Sequence, residues 1–254
     1  MSNPLYRAKL LGKEADDIAS SLLKDDALEV DSNAQPGRRQ SRIASPESYV
    51  ILPGKVHGGY SYPELLVSVD RKYNGNNWFK AHEKLHKDDS FMLTPRQFVD
   101  FLELLMLGKV YDGAGGKIDS SRVSQLLEDI TTKRDPYRAE WLDADFKVVG
   151  GKLMMNYNHR TISGKLVPQN REQLESCLME DCYVDLSSAN RQGFPTRKSS
   201  NQEFYFWHPL SDNNSVARFC ADSGRVYLSC SWFPQVSDSG LGVRVAKING
   251  GVQK

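Results

Sequence analysis

The stretch that most restricts how this chain can fold is residues 204–246, from Phe204-Tyr-Phe-Trp-His-Pro-Leu to Leu241-Gly-Val-Arg-Val-Ala246, which contains no Lys, Glu or Met. Strands are depleted in Lys and Glu, which accounts for part of this bias. The stretch also alternates strand-like fragments and aromatics with clusters of Ser, Asp and Asn that can face solvent. Such a composition suits a β scaffold that displays a binding surface better than it suits a catalytic centre.

The chain has 254 residues, enough for one large domain or two small ones. With 39% hydrophobic and 26% charged residues it reads as a globular protein with a sizeable core. A formal charge of +1 gives no general attraction to nucleic acid or to an anionic membrane. The one basic cluster, Gly37-Arg-Arg-Gln-Ser-Arg42, is short and reads as solvated linker, so no nucleic-acid partner is expected. No segment approaches ~18 consecutive apolar residues, so membrane insertion is not expected. Met1-Ser-Asn-Pro-Leu-Tyr-Arg lacks the apolar core of a secretory signal. The protein is expected to be made in the cytoplasm, with export lacking a signal peptide or assembly into a virus particle left open. The four cysteines, Cys177, Cys182, Cys220 and Cys230, show no Cys-x-x-Cys spacing, which argues against a Cys-rich zinc site. Cys220 and Cys230 read as buried thiols, and sequence does not decide whether they are bonded.

Residues 1–46 form a separate N-terminal extension, with one short amphipathic helix over Lys13–Lys24 and a polar linker over Asp31–Arg42. The compact domain, 47–254, begins near the strand candidate Ser48-Tyr-Val-Ile-Leu52. Asn77–Lys87 is helix-like, with Trp78, Ala81 and Leu85 on one stripe. Thr94-Pro-Arg-Gln97 carries an N-cap, a proline suited to the first helical position and a capping box. The helix it opens buries Phe98, Phe101, Leu102 and Leu105. A third helix starts at Ser120 or Ser121 and runs through Val123, Leu126, Leu127 and Ile130. After Asp135-Pro-Tyr the pattern turns to short strands and Gly/Asn turns, as in Lys147–Met155 and Gly224–Cys230. The expectation is an α+β fold, helices packed on short, mainly antiparallel strands.

His82-Glu83-Lys84-Leu85-His86 fits His-Glu-x-x-His, in which two histidines one helical turn apart hold zinc and the glutamate activates water. Lys80, Lys84, Lys87, Asp88 and Asp89 surround it, so the helix looks half-exposed. Glu103 lies on the next helix, but no downstream His stands in a recognisable ligand pattern, and the histidines read as surface-helix residues. Asp112-Gly-Ala-Gly-Gly-Lys-Ile-Asp119 places Ala114 and Gly116 where a calcium loop needs oxygen ligands, and lacks the closing glutamate. It reads as a Gly-rich turn. It is no phosphate loop either, because Gly-Lys is not followed by Ser or Thr as required. No Gly-x-Ser-x-Gly elbow occurs. No cofactor is expected, and the chain is expected not to be an enzyme.

What remains is the aromatic set Phe204, Tyr205, Phe206, Trp207, Tyr227, Trp232 and Phe233. Phe204, Phe206 and Trp207 are in part core, whereas Tyr205, His208, Tyr227 and Phe233 sit among Ser, Asp and Asn, as binding-surface aromatics do. Leu93–Leu102 resembles the first helix of the C-type lectin fold, in the branch that includes formylglycine-generating enzymes. Trp207, Val216–Phe219, Gly224–Leu228 and Leu241–Arg244 resemble its C-terminal strands. Within that branch the chain is most similar to the variable proteins of diversity-generating retroelements of archaeal or archaeal-virus type. The resemblance covers roughly residues 48–248. It implies that adenine-directed mutagenesis rewrites Asn-type codons near the 3′ end of the gene. Such codons reach many residues but not Lys, Glu, Gln, Met or Trp, so Trp207, Trp232 and Gln235 would be fixed.

The resemblance implies a ligand-binding, non-enzymatic protein on a virion tail tip or cell surface, with a protein or cell-surface partner. The binding face is assigned to Tyr205, His208, Leu210, Ser211, Asn213, Asn214, Tyr227, Ser229, Ser231, Phe233, Val236 and Asp238. Strand alternation sets Tyr227, Ser229 and Ser231 on one face and Leu228 and Cys230 on the other. Val216, Ala217, Phe219, Val226, Leu228, Leu241 and Val243 are the expected core. Two features depart from the family. The calcium-ligand motifs Glu-Pro-Asn and Trp-Asn-Asp of sugar-binding lectins are absent, and no cysteine pattern of an oxidase surrounds Cys220 and Cys230. The alternatives are a zinc metallohydrolase using His82, Glu83 and His86, and a structural virion or surface subunit.

Overall fold

In the computed structural model residues 45–250 are described; the expected helix at 13–24 and the linker at 31–42 lie outside them. The fold is α+β. Strand β1 (Tyr49–Leu52) pairs with β4 (Leu65–Lys72), and between them lies the hairpin β2 (Lys55–His57) and β3 (Tyr60–Tyr62). Helix α1 (Trp78–Lys87), the short strand β5 (Phe91–Met92), α2 (Pro95–Leu107) and α3 (Ser120–Thr131) follow. The long strands β6 (Arg138–Val149), β7 (Lys152–Ile162) and β8 (Lys165–Gln173) form a meander. Strands β9 (Cys182–Val184), β10 (Phe204–Trp207), β11 (Ser215–Ala221), β12 (Val226–Trp232) and β13 (Leu241–Ile248) complete the chain.

One sheet runs in the order β1-β4-β13-β6-β11-β12-β10-β9, with β5 on β13 and the β7–β8 hairpin extending from β6. Pairing is mainly antiparallel; β10 with β12 and β13 with β6 are parallel. The expectation of short strands fails at β6–β8. There Gly150 and Gly151 make a tight hairpin with positive φ, so Lys147–Met155 is the end of one long strand and the start of the next.

The sheet has two packed faces. On one, Phe98, Phe101, Leu102 and Leu105 of α2 and Val123, Leu126, Leu127 and Ile130 of α3 meet Phe204, Phe206, Phe219, Leu228 and Cys230. On the other, Trp78, Ala81 and Leu85 of α1 meet Trp141, Val216, Cys220, Tyr227, Leu241 and Val243. Cys220 and Cys230 are free thiols that belong to opposite faces. All seven residues assigned to the core are buried.

Local sequence explains where the helices begin. Thr94 Oγ1 accepts from the Gln97 amide (3.3 Å) while Gln97 Oε1 accepts from the Thr94 amide (3.0 Å), closing the capping box, and Gly108 ends α2 at φ 75°. Asn77 caps α1 by accepting from Lys80 N (2.9 Å). At 112–119 the Asp112 carboxylate accepts from the amides of Ala114 (2.9 Å) and Gly116 (2.8 Å), which is a turn, as expected.

A buried ionic group ties the two ends of the domain together. Arg244 on β13 donates two hydrogen bonds to Glu140 on β6, Nε to Oε2 at 3.0 Å and Nη2 to Oε1 at 2.8 Å. Its Nη1 donates to the Ser68 carbonyl (2.8 Å) and the Val69 carbonyl on β4. Arg138 donates to the same carboxylate and, through Nε, to Asp129 on α3 (2.8 Å). Glu140 is fully buried. Burial alone would raise its carboxyl, but Arg244 and Arg138 outweigh that and hold it down at about 2, against an ordinary 4.5.

A carboxyl depressed in the folded state stabilises fully above its unfolded pKa, and that contribution is lost as pH falls through the folded value. We therefore predict that E140Q loses about 3–5 kcal/mol at neutral pH, because the buried Arg244 guanidinium is left without its counter-charge and Arg138 keeps only Asp129. Urea unfolding between pH 5 and 2 should also show a shallower acid slope for E140Q than for the parent. Parallel curves would remove Glu140 as a titrating anchor.

Candidate functional site

Two regions outside the main core combine functional side chains. The first lies at the β9–β10–β12 end of the sheet. In β10, Phe204 and Phe206 point into the α2 core while Tyr205 and Trp207 point to the other face. Tyr205 packs edge-on against Tyr183 of β9 (ring centroids 5.0 Å) and lies 5.2 Å from Trp207. The Arg225 guanidinium sits over Tyr205 at 4.4 Å and Trp207 at 5.9 Å. Arrangements of this kind, rigid aromatics with an adaptable cation, favour contact with flat or apolar ligand groups.

The polar segments flanking this row meet each other. Gln235 Nε2 donates to Asn214 Oδ1 (3.3 Å), joining the β10–β11 and β12–β13 connections. Asn213, at φ 60°, accepts from the Val148 amide (2.5 Å) and anchors its loop to β6. His208 is held by Asp181, through its amide (3.1 Å) and its ring Nδ1 (2.7 Å).

The assigned face divides three ways. Ser211, Asn213, Asn214 and Phe233 are exposed, and Phe233 is 53% exposed. Tyr205, His208, Leu210, Ser231, Val236 and Asp238 are half-buried. Asp238 holds a turn by accepting from the Gly240 amide (2.8 Å), and Val236 packs beside Trp232 against the second core. Tyr227 and Ser229 are a correction. They point away from Leu228 and Cys230, as alternation requires, but both are buried. The reason is Arg218 on β11, whose guanidinium lies 3.3 Å from the Trp232 ring centroid and 5.6 Å from that of Tyr227, and whose Nη2 donates to the Tyr227 hydroxyl (3.0 Å). This arginine-aromatic layer fills the space where an open surface was expected.

Tyr183 and Arg225 escaped the sequence reading. Tyr183 lies about twenty residues upstream of the stretch in a polar context, and only the register Tyr205↔Tyr183 brings it alongside. Arg225 stands beside a turn glycine, a position that reads as solvent.

The second region surrounds His82 and corrects the surface-histidine reading. His82 is fully buried, in edge-on contact with Trp78 (4.3 Å between ring centroids), and neither ring nitrogen has a hydrogen-bond partner. The long hairpin β6–β7 carries Asp143 and His159 to it. His82 Nε2 is 3.6 Å from Asp143 Oδ1, and His159 Nδ1 is 2.5 Å from the same oxygen. His159 Nε2 lies 3.2 Å from Asp145, which also pairs with Lys147 (3.5 Å). The ladder between β6 and β7 ends at Asp145↔Asn156, and Asn158 then adopts φ 54°. The His159 amide, released from the ladder, donates to Asp143 Oδ2 instead (3.0 Å). Burial lowers His82 to about 3, keeping it neutral. For His159 burial is the largest influence and acts downward, but Asp143 and Asp145 outweigh it and raise the ring to about 9.

Glu83 does not join this group. It faces solvent and pairs with Lys87 at 2.6 Å, so it cannot activate water on a metal held by His82. Of the His-Glu-x-x-His set, His82 and His86 share one face of α1 while Glu83 is turned to the other. His86 sits one turn on, its Nδ1 2.8 Å from the Thr161 hydroxyl and its Nε2 buried without a partner. Sequence missed the cluster because Asp143 and His159 follow His82 by 61 and 77 positions in no fixed spacing.

Compared with protein-family models, curated proteins and solved structures, the chain matches none. Among the described residues no helix is long and apolar enough to cross a membrane.

If half-buried Leu210 and exposed Phe233 are independent of the core, L210A/F233A should shift the melting temperature by no more than about 3 °C, since surface substitutions cost within about ±0.5 kcal/mol each. F206A, one strand position from Tyr205 but fully buried, should cost about 3–5 kcal/mol. Thermal melts of the two variants check the contrast, and equal losses would place Leu210 and Phe233 in the core.

Proposed function

We propose that the chain is a ligand-binding protein presenting a variable surface on a C-type lectin-like scaffold, of the kind diversified by retroelement mutagenesis. Its display site would be a virion tail tip or a cell surface, and its partner a protein or other cell-surface group. The observation that carries this reading is the segregation of the C-terminal stretch. Exposed Ser211, Asn213, Asn214 and Phe233 lie on the two loops joined by Gln235 and Asn214, next to the Tyr183–Tyr205–Trp207 row. Phe204, Phe206, Phe219 and Leu228 meanwhile hold the core from the opposite face of the same strands. A protein built to be varied needs this separation, because substitutions then change contacts without unfolding the domain.

The buried layer refines the face. Arg218, Trp232, Tyr227 and Ser229 form its floor, and the contact residues are those above and around it: Tyr205, His208, Leu210, Ser211, Asn213, Asn214, Ser231 and Phe233. Tyr183 and Arg225 extend it as constant contacts outside the codons assigned to variation.

Sequencing the 3′ end of the gene across its natural population tests the proposal. The expected result is substitution concentrated in Asn-type codons at Ser211, Asn213, Asn214, Phe233 and their half-buried neighbours, with Trp207, Gly224 and Leu241 unchanged. Variation spread evenly over the gene, or none, would remove the retroelement reading.

A further inference from the structure

We propose that His82, Asp143 and His159 form a binding site for a divalent transition-metal ion, placed between α1 and the β6–β7 hairpin and distinct from the ligand-binding face. Three observations carry it. One ligand atom from each residue lies within 4.8 Å of the others, and all three residues are buried. Two imidazole nitrogens with one carboxylate oxygen is a donor set that suits zinc, cobalt or nickel rather than calcium or magnesium.

Second, His82 is a fully buried imidazole with neither nitrogen satisfied. A buried polar group without a partner is costly, and native structures seldom keep one unless a ligand completes it. Nε2 of His82 faces Asp143 at 3.6 Å, too far for a good hydrogen bond but suited to two ligands flanking one ion. The trio needs only small side-chain movement, chiefly parting His159 Nδ1 from Asp143 Oδ1.

Third, the surroundings already orient the candidate ligands. Asp145 stands 3.2 Å from His159 Nε2, the ring nitrogen a metal bound at Nδ1 would leave free. Metal-bound histidines commonly donate that second N–H to a carboxylate. The His159 amide fixes Asp143 Oδ2 (3.0 Å), leaving Oδ1 directed at both rings. Among the described residues Asp143 pairs with no Lys or Arg, so its counter-charge comes from the imidazoles or from a cation. His86, 5.6 Å from His82 between ring centroids, supplies a further buried and unpartnered Nε2 on the same helix face. With Glu83 turned to solvent, the site serves to fix α1 to the hairpin rather than to hydrolyse a substrate.

The site is buried, so the test loads metal during folding. The full chain is unfolded in urea with chelator, refolded with Co²⁺, and freed of excess metal. We expect one Co²⁺ per chain, visible absorption that Zn²⁺ in its place abolishes, and, with free Co²⁺ restored to a hundredfold over Kd, a melting temperature about 5–10 °C higher. H82Q and H159Q should each weaken uptake by more than the ~10–100-fold that loss of an outer partner costs. X-ray absorption of the loaded parent protein needs no variant and should read at least two imidazoles on cobalt. Absence of stoichiometric uptake, an all-oxygen or sulfur-containing shell, or uptake unchanged in both variants would overturn the site.

Discussion

The fold depends on one buried carboxylate. Glu140 lies where β6 meets the closing strand β13, and it is reached by Arg244 from that strand and Arg138 from its own. Through Arg244 the group also holds the carbonyls of β4, and through Arg138 it reaches α3. Strands from the start, middle and end of the domain are thereby fixed in register by charge-assisted hydrogen bonds, whose geometry is more specific than apolar packing. Such a group is costly to desolvate, and its value lies in being complete: each guanidinium and the carboxylate need the others. The Arg244 guanidinium also lies 5.4 Å from the Phe101 ring, so the ionic group and the α2 core are in contact.

That anchor makes the two-faced sheet workable. With β4, β13 and β6 locked together, the strands beyond them, β11, β12, β10 and β9, can direct one face to the α2–α3 core and the other away from it. Strand alternation then gives each residue a separate task. Phe204 and Phe206 pack into the α2 core, Tyr205 and Trp207 lie on the other face beneath Arg225, and Arg218 stacks on Trp232. The β6–β7 hairpin uses its length differently, bringing Asp143 and His159 together beside His82 of α1.

How much of this was legible in the sequence follows from the range of each interaction. The capping box at Thr94 and Gln97, the apolar stripes of all three helices and the alternation in Tyr227–Ser231 are local signals, and all appear as read. The α+β class follows from them. What could not be read depends on pairing between distant strands. The burial of Tyr227 and Ser229 requires Arg218 to lie across them, which only the β11–β12 register decides. The histidine cluster shows the same limit. His82 and His86 looked like surface residues because lysines flank them, but a helix amid lysines still has an inner side. His82 shares that side with Trp78 and Leu85. Its partners come from a hairpin whose length the short-strand expectation missed.

The proposed function requires that the contact residues of the C-terminal face be separable from the structure that supports them. The most direct measurement is a surface-display library randomised together at Tyr205, His208, Leu210, Ser211, Asn213, Asn214, Ser231 and Phe233, sorted for protease resistance as a reading of folding. Most variants should stay as resistant as the parent, whatever residues they carry. If resistant clones instead converge on the parental residues, the face is part of the core and does not vary independently of it.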